Sequence, residues 1–227
     1  MKRGISFSEF DCYQKDKKLW YKRYVLGEQD EQSKPQLYGE IIHQEIAQPG
    51  NLIQRLDEEG FTTKEKVIAR KLCNAMASKR PQINPTPADK LYREAEIEEG
   101  IIVLGFYDGL NTDPLFTLCE HKTTKSPDGS WWGWSQYKAD TNAQPTFYAL
   151  IELFGKRCSH RLFHEIRINR LLTTTGTVKT FVTNRSRTDI EQLKKSLIYY
   201  ARTLQQEGLW TQRKSRKEIE QMQLPTP

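Results

Sequence analysis

Glu120 and Lys122 stand two residues apart at the end of an apolar run, "LFTLCEHKTT", residues 115–124. On a strand, residues i and i+2 share a face, so this spacing puts a carboxylate beside an ammonium. A second carboxylate, Asp108, ends the preceding apolar run, "IIVLGFYDG". Two carboxylates offer hard oxygen ligands to Mg2+ or Mn2+. Such an ion neutralises a phosphodiester and lowers the pKa of a bound water, and a nearby lysine orients that water or stabilises charge building on phosphate. Carboxylates brought close together also need cationic company to stay ionised. Taken alone, Glu120-x-Lys122 is more simply a surface ion pair worth about 0–1 kcal/mol. Antiparallel neighbours bring the end of one strand beside the start of the next. Asp108 therefore meets Glu120 only if the strands bend or their pairing is offset.

The elements that must hold these groups are marked by caps and turns. Ser8-x-x-Asp11 resembles a capping box, with Phe7 placed to staple against Cys12. Phe10, Tyr13, Trp20, Tyr21 and Tyr24 follow at helical spacing with Lys15, Lys17, Lys18, Lys22 and Arg23 between them. Such interleaving is either a nucleic-acid surface or, more simply, a core face backed by solvated lysines. A polar stretch over residues 28–36 leads to a second helix, "YGEIIHQEIA", ended by "PG" at 49–50. Thr62-x-x-Glu65 caps a third helix reaching about Lys79, with Val67, Ile68, Leu72, Ala75 and Met76 on its apolar face. After the proline-rich connection "RPQINPTP", the runs "LYREAEI", "IIVLGFYDGL" and "LFTLCEHK" read as an antiparallel meander. The loop "SPDGSWWGWSQYKAD" precedes a helix from about Asn142 to Phe154, where Pro145 is tolerable because it falls in the first turn. "RLFHEIRIN" and "TVKTFVTN" supply two more strands, and Thr188-x-x-Glu191 caps a last long helix. The charged tail, 211–227, is expected to fray.

Taken together, "GFYDGL" followed by "CEHKTT" resembles the G-x-x-D … E-x-K-T pattern of the PD-(D/E)XK nuclease superfamily. The RecB-like exonuclease branch, which includes phage recombination and CRISPR-adaptation nucleases, is the nearest in pattern. "GEIIHQ" is similar to its G-x-x-x-H helix, "AQPTFYALI" to its Q-x-x-x-Y helix, and "SFSEFDCYQKDKKLWYKRY" to its N-terminal helix. The resemblance covers roughly residues 5–168. It implies an α/β, restriction-endonuclease-like αβββαβ core, a central mixed sheet flanked by helices, bent so that Asp108 meets Glu120 and Lys122. His43, Asp108, Glu120 and the backbone carbonyl of His121 would then ligate Mg2+ or Mn2+, with Lys122 beside the attacking water. Gln144 and Tyr148, four apart on one helix face, would border the site and hold Lys122 or the substrate phosphate. His121 alternates away from Glu120 and Lys122, so its ring is expected outside the site. Glu96 is either an auxiliary acid or a solvated edge-strand charge. Arg157, Arg161, Arg167 and Arg170 are candidates for phosphate contact. Trp131, Trp132 and Trp134 either pack as a lid or stack on bases.

The implied function is a metal-dependent deoxyribonuclease, most simply an exonuclease in DNA recombination, repair or processing. An endonuclease or nickase, or a silent DNA-binding protein on the same fold, is the alternative. Related proteins hold an iron–sulfur cluster on one N-terminal and three C-terminal cysteines. Here Cys12 matches the first, but no cysteine follows Cys158, so no cluster is expected. With 35 Lys+Arg against 29 Asp+Glu, the net charge of +6 suits a DNA partner. A single-strand annealing or other recombination protein is a further partner, and an oligomer is open. The 37% apolar and 28% charged composition is too apolar for disorder, and no run of about 20 apolar residues could cross a bilayer. Four scattered cysteines without a C-x-x-C read as reduced thiols, placing the chain in the cytoplasm. A single nuclease domain over 1–227 is expected, with residues 1–35 as an N-terminal helix and connection packed on the core.

Overall fold

The computed structural model describes residues 4–28, 30–86, 91–126, 133–156, 158 and 160–210. A short strand β1 (Gly4–Ser6) leads into α1 (Phe7–Lys15), α2 (Lys17–Trp20) and a π-helical turn over Tyr21–Val25. Three helices follow: α3 (Lys34–Ala47), α4 (Leu52–Glu58) and α5 (Thr63–Ala77). The strands β2 (Tyr92–Glu98), β3 (Ile101–Phe106), β4 (Gly109–Asn111) and β5 (Thr117–Thr124) come next. Then α6 (Gln136–Thr141), α7 (Ala143–Phe154), β6 (Glu165–Leu172), β7 (Thr177–Thr183) and α8 (Arg187–Gln206) complete the order. Among the described residues, no helix is long and apolar enough to cross a membrane.

The strands form two mixed sheets, ordered β1-β3-β2 and β4-β5-β6-β7. β1 runs parallel to β3 and β5 parallel to β6, and the remaining pairs are antiparallel. The mixed α/β class expected from the sequence is therefore the class observed, with the strands parted where β3 gives way to β4 at Tyr107–Asp108. Two apolar clusters flank them. One joins α7, α8 and the N-terminal segment to β2 and β3; the other packs α3, α4 and α5 together with Leu171 of β6.

Two helix caps differ from the sequence reading, and two short helices were not foreseen. Ser6, not Ser8, caps α1, because Ser6 ends β1 in extended conformation and its hydroxyl accepts from the Glu9 N–H. Ser186 and Asp189, not Thr188 and Glu191, form the capping box of α8. The short helices are α6, in the loop before α7, and α4; at 6 and 7 residues both are too short to show a sustained helical period. Thr62 and Glu65 cap α5 as expected. The N-terminal aromatics are largely core: Phe10 and Trp20 are buried and meet Tyr200 edge-on, although Tyr21 is 42% exposed.

Two glycines let helices approach the strands. A Cβ on Gly39 of α3 would lie 2.5 Å from the Thr123 hydroxyl of β5. A Cβ on Gly105 of β3 would lie 2.8 Å from the Tyr148 ring of α7. Both distances are shorter than real Cβ contacts, so a side chain at either position would force the helix away. These close approaches bring His43, one turn beyond Gly39, and Tyr148 to the break between the sheets.

Candidate active site

The register of β4 on β5 answers how Asp108 reaches Glu120. Gly109 pairs with Cys119, so Asp108, one residue earlier, falls opposite Glu120, one residue later. The objection from hairpin geometry fails because the chain continues past Asp108 into β4 before it turns. Asp108 lies at the end of the pairing, where β3 has left the second sheet, and its side chain turns back onto the β5 backbone. Its Oδ2 accepts the His121 N–H at 2.7 Å. Within a strand, a residue's N–H and C=O face the same neighbour. The His121 carbonyl therefore faces this same open edge, beside Asp108.

Glu120 and Lys122 share a face as their spacing predicts. Lys122 Nζ lies 3.2 Å from Glu120 Oε2 and donates to Gln144 Oε1 at 3.0 Å. Gln144 Nε2 donates in turn to the Tyr148 hydroxyl at 2.8 Å. The pair is no surface ion pair, since Glu120 is 2% exposed. Asn142 caps α7 by accepting the Gln144 N–H, and Pro145 sits in the first turn, where its missing N–H costs nothing. Gln144 is thus aimed at Lys122 despite the proline. Tyr148 serves both core and site, being 7% exposed with its hydroxyl on Gln144.

His43 approaches from α3, its Nδ1 3.9 Å from Asp108 Oδ1. The His121 ring corrects the sequence reading. It alternates away from Glu120, but α3 covers that side of β5, and the ring meets His43 edge-on at 5.8 Å between centroids. His43, Asp108 and His121 line one cavity of about 530 Å3. The His121 Nδ1 lies 3.3 Å from the amide of Asn169, whose oxygen accepts the Thr180 hydroxyl. Asn169 stands directly opposite His121 in the β5–β6 register. An asparagine inside the apolar strand "EIRINRLL" was the signal that could have revealed this support.

The electrostatics follow from burial. Burial and the Asp108 charge push the Glu120 carboxyl up to about 8, against the pull of Lys122. Burial also works to raise Asp108, but His43, His121, Lys122 and the His121 N–H together hold it below its ordinary value. Burial lowers both imidazoles, His121 to about 4. Glu120 Oε1, His43 Nε2 and His121 Nε2 are buried without a hydrogen-bond partner. Orphaned buried polar atoms beside two carboxylates mark a place where a cation or a substrate group belongs.

Other expected residues fall elsewhere. Trp131, Trp132 and Arg157 lie outside the described residues. Trp134 is buried, with Lys138 Nζ 5.3 Å from its ring centroid. Glu96 accepts from the Gly100 N–H at the β2–β3 turn and faces Lys156, so it is an edge-strand charge away from the site. Arg161 stacks over Phe116, Arg167 pairs with Glu165, and Arg170 is buried. Arg185 was not anticipated. It is 8% exposed and donates to the Ala139 and Asn142 carbonyls and the Thr146 hydroxyl, locking the α6–α7 junction that aims Gln144. A basic residue in a loop carries no sequence signal for such a role.

No protein-family model matches the chain, and no curated protein sequence does. Among solved structures, the chain is similar to a crystal structure from Eubacterium rectale described as a "Putative exonuclease". The two superpose with a TM-score of 0.65 at 14% identity, over 100% of this chain and 91% of the other. At that identity the likeness shows a common mixed α/β fold.

Proposed function

We propose that this protein is a metal-dependent nuclease that hydrolyses phosphodiester bonds in DNA, acting from strand ends. One observation carries the reading: Asp108, just before β4, meets Glu120 and Lys122 of β5, with Lys122 held between Glu120 and Gln144. The PD-(D/E)XK pattern and the exonuclease description of the structural neighbour support the same reading. Processing of DNA ends in recombination or repair is the role such chemistry serves.

The donor set fits a divalent cation. Glu120 Oε1 lacks a partner, and the His43 Nδ1–H tautomer that suits Asp108 leaves the orphaned Nε2 lone pair free. Among the described residues, no three His, Cys, Asp or Glu side chains are already gathered closely enough to hold an ion by themselves. The proposed set, His43, Asp108, Glu120 and the His121 carbonyl, includes a backbone oxygen. Bound there, Mg2+ or Mn2+ supplies charge neutralisation for the phosphodiester and acidifies water. Lys122 has three ammonium protons, two of them directed to Glu120 and Gln144. The third is left for the attacking water or a phosphate oxygen, where a fixed positive charge stabilises the transition state. Gln144 sets the lysine's direction, and Tyr148 sets the orientation of Gln144.

The test is incubation of end-labelled linear and closed circular DNA with Mg2+, with EDTA, and with Lys122→Ala. Loss of linear DNA in Mg2+ alone, reduced about 100-fold or more in the variant, supports the proposal. Cutting of circles would replace the exonuclease reading with an endonuclease. Equal activity in Lys122→Ala would overturn the site.

A further inference from the structure

The cavity beside Asp108 extends well beyond the groups that the proposed hydrolysis uses. Its volume of about 530 Å3 is within the range of sites that enclose one small molecule. Besides His43 and Asp108, its lining includes Phe106, Gln44, Asn51 and Arg55, and Glu45, whose carboxylate accepts from the Gly50 and Asn51 N–H groups. Phe106 is 52% exposed at the end of β3, and its neighbour across the sheet, Tyr92, is 40% exposed. Their rings lie 5.4 Å apart. Alternation explains the placement. Tyr107 turns into the core at 1% exposure, so Phe106 and Asp108, on either side of it, both look into the cavity. Neither the core nor the proposed chemistry needs an aromatic ring there. Arg55, in the same lining, donates to Gln44 Oε1 and forms no ion pair among the described residues. Its charge is available to an anion.

We propose that this cavity receives one unstacked nucleotide next to the scissile phosphate, with its base on the Phe106 ring and its flanking phosphate toward Arg55. The inference rests on the nuclease reading and narrows its substrate to single-stranded or frayed DNA ends. In a duplex, the bases stack on one another and offer no face to a side chain. A single strand offers every base, and the aromatic platform accepts them without regard to sequence. A cavity of about 530 Å3 holds one small molecule rather than a base-paired segment, so a duplex would have to fray to place a base there.

Fluorescence anisotropy with a labelled oligothymidylate and a blunt duplex of equal length, in Ca2+ to suppress turnover, tests this. Hydrolysis of both substrates in Mg2+ is measured alongside. The single strand should bind more tightly than the duplex. Phe106→Ala should weaken single-strand binding by about 5- to 100-fold, while Phe106→Trp, which keeps an aromatic face, should retain it. Arg55→Ala should weaken binding and reduce the steepness of its log–log salt dependence by about 0.7. Because Phe106 is exposed, Phe106→Ala should melt with the wild type, which separates lost binding from lost folding. Unchanged single-strand affinity in Phe106→Ala, or a wild type that binds no single strand, would overturn the subsite. Lys122-dependent hydrolysis alongside unchanged binding in Phe106→Ala would remove the subsite and leave the nuclease. Phe106-dependent binding without any hydrolysis would do the reverse.

Discussion

Glu120 is the proposed site carboxylate whose environment moves it across neutral pH. Its carboxyl is pushed up to about 8 by burial and Asp108, from an ordinary 4.5. Between those values the folded protein retains a proton that the unfolded chain has released, so stability falls as pH rises through that window. His121 works in the opposite sense. Lowered to about 4 from 6.5, it leaves the unfolded chain binding more protons in that interval, and stability there rises with pH. His43 is lowered in the same direction. Among these groups, only Glu120 acts between about pH 6.5 and 8. Melting temperature measured in EDTA should therefore decline from pH 6.5 to 8, and Glu120→Gln should flatten that decline. Saturating Mg2+ or Mn2+ should raise the melting temperature most at the upper end of the range, because a cation binds the ionised carboxylate.

The elements position the site through close packing rather than through their own lengths. Gly39 sets the distance of α3 from β5, and hence the reach of His43. Gly39→Ala should cost about 1–3 kcal/mol in chemical denaturation through overpacking against Thr123. It should also reduce hydrolysis more than a surface glycine substitution such as Gly208→Ala. Arg185 does the equivalent work for α7. Its loss removes hydrogen bonds to the Ala139, Asn142 and Asn184 carbonyls and the Thr146 and Thr183 hydroxyls, each buried group left unmet costing about 1–3 kcal/mol. Arg185→Ala should lower both the unfolding midpoint and kcat, because Asn142, and with it Gln144, loses its anchor. Arg185→Lys should recover little, since an ammonium cannot reproduce the guanidinium fork. The caps were legible as a class but misplaced by two residues at α1 and α8. Ser6 and Ser186 compete with nearby Ser8 and Thr188, and only the extended backbone before the helix decides between them.

At the scale of the whole molecule, the site lies where the two sheets part, between two apolar clusters. Leu197 on α8 is fully buried in the first cluster and is not one of the proposed catalytic groups. Leu197→Ala should destabilise the protein by about 2–5 kcal/mol yet leave kcat unchanged at temperatures where the variant stays folded, as calorimetry and hydrolysis assays together would show. The sequence by itself determined the alternation that sets Glu120 beside Lys122, the i, i+4 spacing of Gln144 and Tyr148, and the mixed α/β order of elements. These are local periodicities, written in neighbouring residues. Tertiary structure alone decided that Asp108 lies opposite Glu120, because pairing register depends on where a strand turns. It also decided that the His121 ring shares a cavity with His43, that Arg185 steadies Gln144, and that Phe106 faces the same space as Asp108. Each of those facts joins residues far apart in the chain, and packing of one element on another, not spacing along it, brings them together.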